Sequence, residues 1–432
     1  MKLPLIAIVG TTGVGKSNFS IELAKAISGE IINGDSMQVY QGLNQITNKH
    51  PMEERQGVPH HLLGHVSWKE EYGVHRFEDE VLTKIREIRA RGKVPILVGG
   101  THYYIQSVLF RENIVKIEEK RELSQRELEV LDSRDLCLSE LRKLDPQIAQ
   151  KFHPNDTRRI RRMLEICLLT GEKPSEVFSQ QNKTKSRDRT LVFWLFSDQQ
   201  VLNDRLDKRV DGMLSNGLLE EIKDMYQIYR EGDIDIERGV WQVIGFKQFL
   251  PFLEGKEGIE TGLQVMKNDT RRYSKQQIGW ISKKLLNQVR ESSETFCVLD
   301  ATDLSVWKQT IDHGVGVARD WLEGKDVEDK RLVSSKREEL HKLVAREKTE
   351  FGARDVEYVQ FECPTCVDKD GQHVVSVGKE ALEIHLKSRR HVKTLQAIKK
   401  REHNMKMKEE MEKRRKVAEG DSEEGKETKP VA

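Results

Sequence analysis

Residues Gly10 to Ser17 read GTTGVGKS and fit G-x-x-x-x-G-K-[ST], a loop that wraps phosphate groups. Glycines let successive backbone N–H groups turn inward on an anion. A helix that starts at the loop adds partial positive charge at its N-terminus. In such a loop the backbone of Thr12, Gly13, Val14 and Gly15 lines the anion, Lys16 reaches its outer phosphate, and Ser17 offers a hydroxyl to Mg²⁺. The motif specifies a phosphate or diphosphate and does not specify ATP. Many nucleotide hydrolases end a second strand in a carboxylate that supports the metal. Here the apolar run PILV ends instead in Gly99-Gly100-Thr101. The nearest alternative carboxylate is Asp35, which suits a general base; the other role open to it is a turn cap. Thr101 could orient Asp35 or a substrate amine, or simply cap a helix.

A second constellation lies near the C-terminus. Cys363-x₂-Cys366 is followed, after eighteen intervening residues, by His385-x₅-His391. Two thiolates and two imidazoles make a closed tetrahedral Zn²⁺ site, which is structural because no position is open for chemistry. The cysteine pair reads as a knuckle, and ALEIHLKSRRHVKTL as one helix carrying both histidines. The other cysteines, Cys137, Cys167 and Cys297, stand singly and read as buried free thiols. That usage fits a reducing, intracellular compartment.

The elements that must position these groups alternate in type over residues 1–110. LPLIAIV is a strand before the phosphate loop and NFSIELAKAI a helix after it; EIINGDSMQVY is a short strand running into a polar loop. RFEDEVLTKIREIRARGK is a helix and VPILVGG a strand. Alternation of this kind predicts a parallel sheet with right-handed crossovers, whose C-terminal strand ends gather functional groups. The phosphate loop, Asp35 and Thr101 all fall just past such ends. Residues 111–189 are helical, charged and without clear strands, and read as an insertion. The core resumes over 190–325 with the strand TLVFWLF, the helices RLDKRVDGMLSNGLLEEIKDMY and DTRRYSKQQIGWISKKLL, and the strand FCVLDAT. Residues 326–355 read as a charged linker, 356–396 as the finger, and 397–432 as a basic solvated helix passing into an acidic, disordered tail. The fold class is therefore α/β: a P-loop NTPase-like parallel sheet flanked by helices, with a helical insertion and a small C-terminal zinc finger.

Composition narrows the function. The chain has 432 residues, 33% of them charged, and a formal net charge of +2. No apolar run approaches the roughly 18 residues of a membrane span. MKLPLIAIVG runs straight into the loop and is too quickly interrupted for a signal peptide. The near-neutral total hides two basic islands. Arg142 to Arg162 holds seven Lys or Arg against two Asp, and Ala397 to Val417 holds nine against four acidic residues. Both suit a polyanion. In DTRRIRRMLEICLL the core spacing falls on Ile160, Met163, Leu164 and Cys167, while Arg158, Arg161 and Arg162 share another face. An arginine stripe suits RNA phosphates and stacked bases.

Taken in order, GTTGVGKS, DSMQVY, ITNKHP, PHHL, VGGTHYY, NDTRRIRRMLE, RVDGMLSNGLLEEI and GVWQVIGFKQF closely resemble the tRNA dimethylallyltransferases, or tRNA isopentenyltransferases, over most of residues 4–285. The eukaryotic members carry a matrin-type finger such as this one. The resemblance implies transfer of a five-carbon allyl group from dimethylallyl diphosphate to N6 of adenosine at tRNA position 37, beside the anticodon. It implies that the loop holds the diphosphate with Mg²⁺ and that Arg209, in RVDGM, is a second clamp. Asp35 would then be the base and Thr101 would hold the amine. The anticodon stem–loop would meet the turn Asp35, Ser36, Met37 and Gln38, the segment Arg158, Arg159, Arg161 and Arg162, and Arg271, Arg272 and Lys275. Gln276 stands where the family commonly has Arg. The finger, flanked by Arg389, Arg390 and Lys393, would add RNA grip. The expectation is a cytoplasmic monomer, with nuclear and mitochondrial pools open. Competing readings are a P-loop metabolite kinase, a transferase acting on free adenine nucleotides, and a non-catalytic RNA-binding protein. The kinase reading leaves GGTHYY, the arginine stripe and the finger without a purpose.

Overall fold

In the computed structural model, residues 3–111, 114–115, 121–181, 185–232, 234–325, 340, 359–369 and 371–424 are described, with side chains up to Arg414. The expected linker at 326–355 lies outside them except for Leu340. The chain divides into two compact units, Met1–Lys116 with Gln181–Ala353, and Ile117–Gln180 with Arg354–Ala432.

The first unit is built on the strands β1 (Pro4–Gly10), β2 (Gly29–Asn33), β3 (His60–His61), β4 (Val94–Gly99), β5 (Arg189–Phe196) and β6 (Thr295–Asp300). They form one parallel sheet in the order β3-β2-β4-β1-β5-β6. β1 sits between β4 and β5 and is apolar almost throughout, as a strand covered on both faces must be. Its side chains alternate between two cores. Leu5, Ala7 and Val9 join one cluster, and Ile6 and Ile8 the other.

The helices of this unit are α1 (Lys16–Ile27), α2 (Val74–Ala90) and α3 (His102–Leu109) before the insertion. The insertion, in the second unit, holds α4 (Gln125–Asp132), α5 (Arg134–Leu144), α6 (Pro146–Ala149), α7 (Thr157–Thr170) and α8 (Pro174–Gln180). Back in the first unit come α9 (Gln199–Ser215), α10 (Leu218–Glu231), α11 (Phe246–Leu253), α12 (Ile259–Trp280), α13 (Leu286–Glu291) and α14 (Trp307–Leu322). Phe19, Leu23 and Ala24 of α1 and Ile311, Val317 and Ala318 of α14 cover one face of the sheet. The other face is covered by Phe77, Val81 and Ile85 of α2, Ile105 and Val108 of α3, and residues of α10 to α12. No helix among the described residues is long and apolar enough to cross a membrane.

Besides α4 to α8, the second unit contains the hairpin β7 (Gln360–Val367) and β8 (His373–Val377), then α15 (Lys379–Leu386) and α16 (Arg389–Glu424). The expected core residues of α7 are buried: Ile160, Met163, Leu164 and Cys167. The hairpin packs on the insertion. Gln360 donates its amide to the Ala149 and Phe152 carbonyls at 3.2 and 2.6 Å, and His153 Nε2 lies 3.1 Å from the Val375 carbonyl.

Three local features differ from the sequence reading. PHHL supplies the two-residue edge strand β3, too short to show any alternation. The finger's single helix is instead two, separated at Lys387 and Ser388. Six residues at 100° each would set His385 and His391 about 120° apart on one helix, and the break brings both rings to one point. The third difference lies at the C-terminus, where α16 reaches Glu424, into the stretch expected to be disordered from Glu419. Extending an existing helix costs far less than starting one.

Candidate active site

Three backbone segments meet at the C-terminal edge of the sheet. β1 ends at Gly10 and hands over to the phosphate loop; Gly13 and Gly15, at φ of 73° and 100°, make the left-handed bends that such a loop needs. β2 ends at Asn33, two residues before Asp35, and β4 ends at Gly99, two before Thr101. The β2 and β4 exits touch. The Gly34 N–H donates to the Val98 carbonyl at 2.7 Å, and a Cβ on Gly99 would collide with the Gly34 backbone. Glycine is required there because two chains cross without room for a side chain.

That crossing sets the surroundings of Asp35. Met37 N–H donates to Asp35 Oδ1 at 2.9 Å, and Asp35 N–H donates to Asn33 Oδ1 at 3.0 Å, so the carboxylate is held by its own turn. Thr101 Oγ1 accepts from Ser36 N–H at 3.1 Å and lies 3.3 Å from Ser36 Oγ. Thr101 is also the N-cap residue of α3 but makes no side-chain cap bond, so its hydroxyl serves the Asp35 loop and not the helix.

On the other side stands the phosphate loop with two cations. Lys16 Nζ donates to the Thr11 and Gly10 carbonyls at 2.6 and 3.1 Å. Burial lowers Lys16 to about 8 against the opposing pull of Asp35, and Arg209 lowers it further. Burial raises Asp35 above the ordinary carboxylate range, opposed by the Met37 N–H and by Lys16. Arg209 donates to Thr12 Oγ1 at 2.8 Å and is lowered by burial to about 10. Arg209 Nε and Thr11 Oγ1 are buried without a hydrogen-bond partner. Orphaned polar groups beside an N–H-lined loop fit a polyanion that would satisfy them. The Ser17 hydroxyl, exposed in the first turn of α1, fits one oxygen position of a Mg²⁺ whose other ligands are water and substrate oxygens.

One helix joins the two sides. Gln277 of α12 accepts from the Thr12 N–H through Oε1 at 2.9 Å and donates through Nε2 to the Gly100 carbonyl at 3.0 Å. It is 3% exposed, and a Cβ on Gly100 would stand 2.5 Å from its Nε2. One turn earlier, Tyr273 donates to the Gly100 carbonyl at 3.4 Å. Its phenol is raised by burial and by nearby Asp35, against hydrogen bonds from Thr101 and Gln277. Beneath the loop lies His102, which burial, aided by Lys16, lowers to about 3 despite a hydrogen bond with the Gly10 backbone. It is therefore neutral at physiological pH. Sequence reasoning missed these three. For Gln277 the available signal was polar side chains at the core positions of α12, where Thr270, Ser274 and Gln277 are all buried.

The residues expected to meet RNA are in varied states. Gln38 is turned inward, donating to the Thr47 and Asn48 carbonyls at 3.1 and 3.0 Å. On α7, Arg158 and Arg159 are exposed, with Arg159 paired to Asp156. Arg161 is half-buried between Asp132 and Glu165, and Arg162 pairs with Glu165 at 3.3 Å. On α12, Arg271 pairs with Asp207 and Arg272 with Asp269, while Lys275 and Gln276 are exposed. Arg161 and Arg271 thus act as framework residues here, and Arg158, Arg159, Arg272 and Lys275 present their charge outward.

Cys363, Cys366, His385 and His391 have ligand atoms within 4.8 Å of one another. Both sulfurs lie 3.4 Å from His391 Nδ1, and His385 Nε2 is buried without a hydrogen-bond partner. A buried orphan imidazole nitrogen facing two thiols fits Zn²⁺ at the shared centre.

The comparisons with known proteins converge on one enzyme group. The family models described as IPP transferase and isopentenyl transferase match residues 38–284 and 3–63. The tRNA dimethylallyltransferase of Saccharomyces cerevisiae is 44% identical over 91% of this chain and 92% of its own length. The Homo sapiens tRNA dimethylallyltransferase is 35% identical over 72% of each chain. A crystal structure of a eukaryotic dimethylallyltransferase acting on tRNA superposes with a TM-score of 0.84 at 42% identity, covering 94% of this chain and 99% of that one. A structure from Bacillus halodurans, described as a tRNA isopentenylpyrophosphate transferase, gives 0.53 at 34% identity over 74% of this chain and 97% of its own. With the phosphate loop, the Asp35 turn and the Gly-Gly-Thr exit all inside the matched segments, this chain belongs to the IPP transferase family, that of the tRNA dimethylallyltransferases.

Proposed function

We propose that this chain transfers the dimethylallyl group of dimethylallyl diphosphate to the exocyclic N6 of adenosine at position 37 of tRNA and releases diphosphate. The observation that carries this reading is the placement of a desolvated carboxylate, Asp35, beside a cation-lined phosphate loop, with Gln277 bonded to both loops. In the reaction a C–N bond forms between N6 and the allylic carbon. The C–O bond to diphosphate breaks and its electron pair leaves with the diphosphate. Lys16, Arg209 and the loop amides meet that growing charge, which is where fixed dipoles and cations accelerate most. Ser17 would hold Mg²⁺, which adds positive charge against the same leaving group.

The amine is a weak nucleophile because its lone pair is delocalised into the purine. Asp35 takes its proton as the C–N bond forms, while Thr101, fixed by Ser36, and Tyr273 orient the amine. The base can reach them only when splayed from its stack. The exposed arginines of α7 and the Zn²⁺-bearing finger, which share one unit, would grip the surrounding stem–loop. Soluble substrates make the cytoplasm the natural compartment. Labelled dimethylallyl diphosphate incubated with tRNA, AMP or neither tests the reading. Label in tRNA alone is expected. Label in AMP, or ATP turnover without label transfer, would replace it by the nucleotide-prenylating or kinase alternative.

A further inference from the structure

One face of α12 runs outward from the reacting groups. Tyr273, Gln277 and Trp280 stand at i, i+4 and i+7, a single stripe. The helix then widens into a π turn, Ile281–Leu285, a feature common at functional sites. Within it Lys284 places Nζ 3.8 Å from the centre of the Trp280 ring. The same indole meets Tyr103 in an edge-type contact, with centroids 6.1 Å apart and planes at 71°. Tyr103 is two residues beyond Thr101 and 43% exposed. The indole is held in place: Trp280 Nε1 donates to Gln106 Oε1, and Gln106 Nε2 donates to Gln288 Oε1 at 2.7 Å. An exposed aromatic ring two residues beyond Thr101 is thus braced by a fixed indole with a cation over it, the indole standing seven residues, or about two helical turns, beyond Tyr273.

We propose that Tyr103, braced by Trp280 and Lys284, is a stacking platform for the unpaired nucleobase next to the modified adenosine. The inference rests on the tRNA reading above and adds to it a binding site outside the reaction centre. A base extruded into the Thr101 pocket leaves its neighbour without a stacking partner, and that neighbour enters the protein beside Thr101. An aromatic face restores the lost stack, and an ammonium on the bracing indole suits the connecting phosphate. Because Gln106 and Gln288 set the indole before RNA arrives, little side-chain freedom is lost on binding.

The test uses the full chain and an anticodon stem–loop RNA carrying 2-aminopurine immediately 5′ or immediately 3′ of the target adenosine. Wild type is expected to quench the probe at one of the two positions. Tyr103→Ala and Tyr103→Leu should lose that quenching and raise the RNA Kd about tenfold, the scale of one lost base–aromatic stack. The KM for dimethylallyl diphosphate should hold. Leu keeps apolar packing against Trp280, so a quench lost in both variants reads stacking and not folding. Tyr103→Phe should retain affinity and quench. Quenching at neither position, or wild-type RNA affinity in both variants, overturns the platform while the prenyl-transfer reading stands. A tenfold rise in donor KM would instead make Tyr103 part of the donor site and also overturn it. Failure of wild type to prenylate the unlabelled stem–loop would count against the underlying reading, separately from any effect of Tyr103.

Discussion

Replacing Asp35 by Asn isolates the proton-transfer step. The amide is nearly isosteric, and its Oδ1 can still accept from the Met37 N–H that the carboxylate now holds at 2.9 Å. That bond loses its charge-assisted part, worth about 1 kcal/mol. The loss is offset because the buried site no longer desolvates an anion, the cause of the raised Asp35 titration. The melting temperature should therefore shift by only a few degrees. Chemistry should fare differently. The amide cannot take the N6 proton, and losing a positioned general base costs about 10²–10⁴ in rate, or about 3–5 kcal/mol of barrier. Asp35 also raises Lys16, so the variant should lose donor affinity at mildly alkaline pH, an effect to be kept apart from the rate. Single-turnover transfer at saturating donor and neutral pH, with parallel filter binding of tRNA, makes that separation. Expected is a 10²–10⁴-fold slower step with tRNA affinity within a few-fold. A rate within a few-fold of wild type would refute the assignment. So would a slow variant that keeps the wild-type acid limb in its pH profile, because the titrating base would then lie elsewhere.

In wild type, kcat/KM for dimethylallyl diphosphate should be bell-shaped: it rises as Asp35 deprotonates, above the ordinary carboxylate range, and falls as Lys16 loses its proton at about 8. Lys16→Arg should move the alkaline limb to higher pH, and an unmoved limb would detach it from Lys16. Gln277→Leu leaves the Thr12 N–H and the Gly100 carbonyl without their partner, at about 1–3 kcal/mol each; donor KM and single-turnover rate should worsen together, and a change in only one would show that the two loops are independent. Cys363→Ser should lose Zn²⁺ on metal analysis and loosen the β7–β8 hairpin, while prenylation of free stem–loop at saturating concentration persists; full zinc content would refute the ligand set.

How far the site could be read in advance follows from the distance over which each feature is encoded. GTTGVGKS carries its geometry in contiguous residues, and Gly13 and Gly15 adopt the left-handed angles that the motif requires. Asp35 and Thr101 were found by a topological argument, since groups just past parallel strands share one edge, and β1, β2 and β4 do lie side by side. The two finger helices were invisible because LKSRR has neither Gly nor Pro to announce a break; the two histidines lie on separate helices with rings 5.1 Å apart. Gln277 was missed for the opposite reason. Its partners are 265 and 177 residues away, and a Gln among Lys, Arg and Gln reads as solvent-facing until the helix packs.

Gln277 also bears on how a phosphate loop would serve the proposed prenyl donor. In a hydrolase the reacting atom is a phosphorus held within the loop, supported by a carboxylate on the next strand. In an allylic diphosphate the reacting carbon hangs outside the loop, and the loop need only stabilise what leaves. A carboxylate at the end of β4 would then repel the leaving anion with no compensating role. Gly99-Gly100-Thr101 stands there instead, and its lack of side chains lets the Asp35 loop cross close by. The carboxylate moves to β2, on the side from which a base can face an amine. On the reading proposed above, that separation creates a registration problem, because donor and acceptor would be gripped by different loops whose relative position sets the attack distance. Misplacement by an ångström can cost a hundredfold in rate. Gln277, using one amide to bond the Thr12 N–H and the Gly100 carbonyl at once, ties those loops to a single rigid helix. A rigid link of this kind would hold the attack distance while the large and mobile tRNA docks around it.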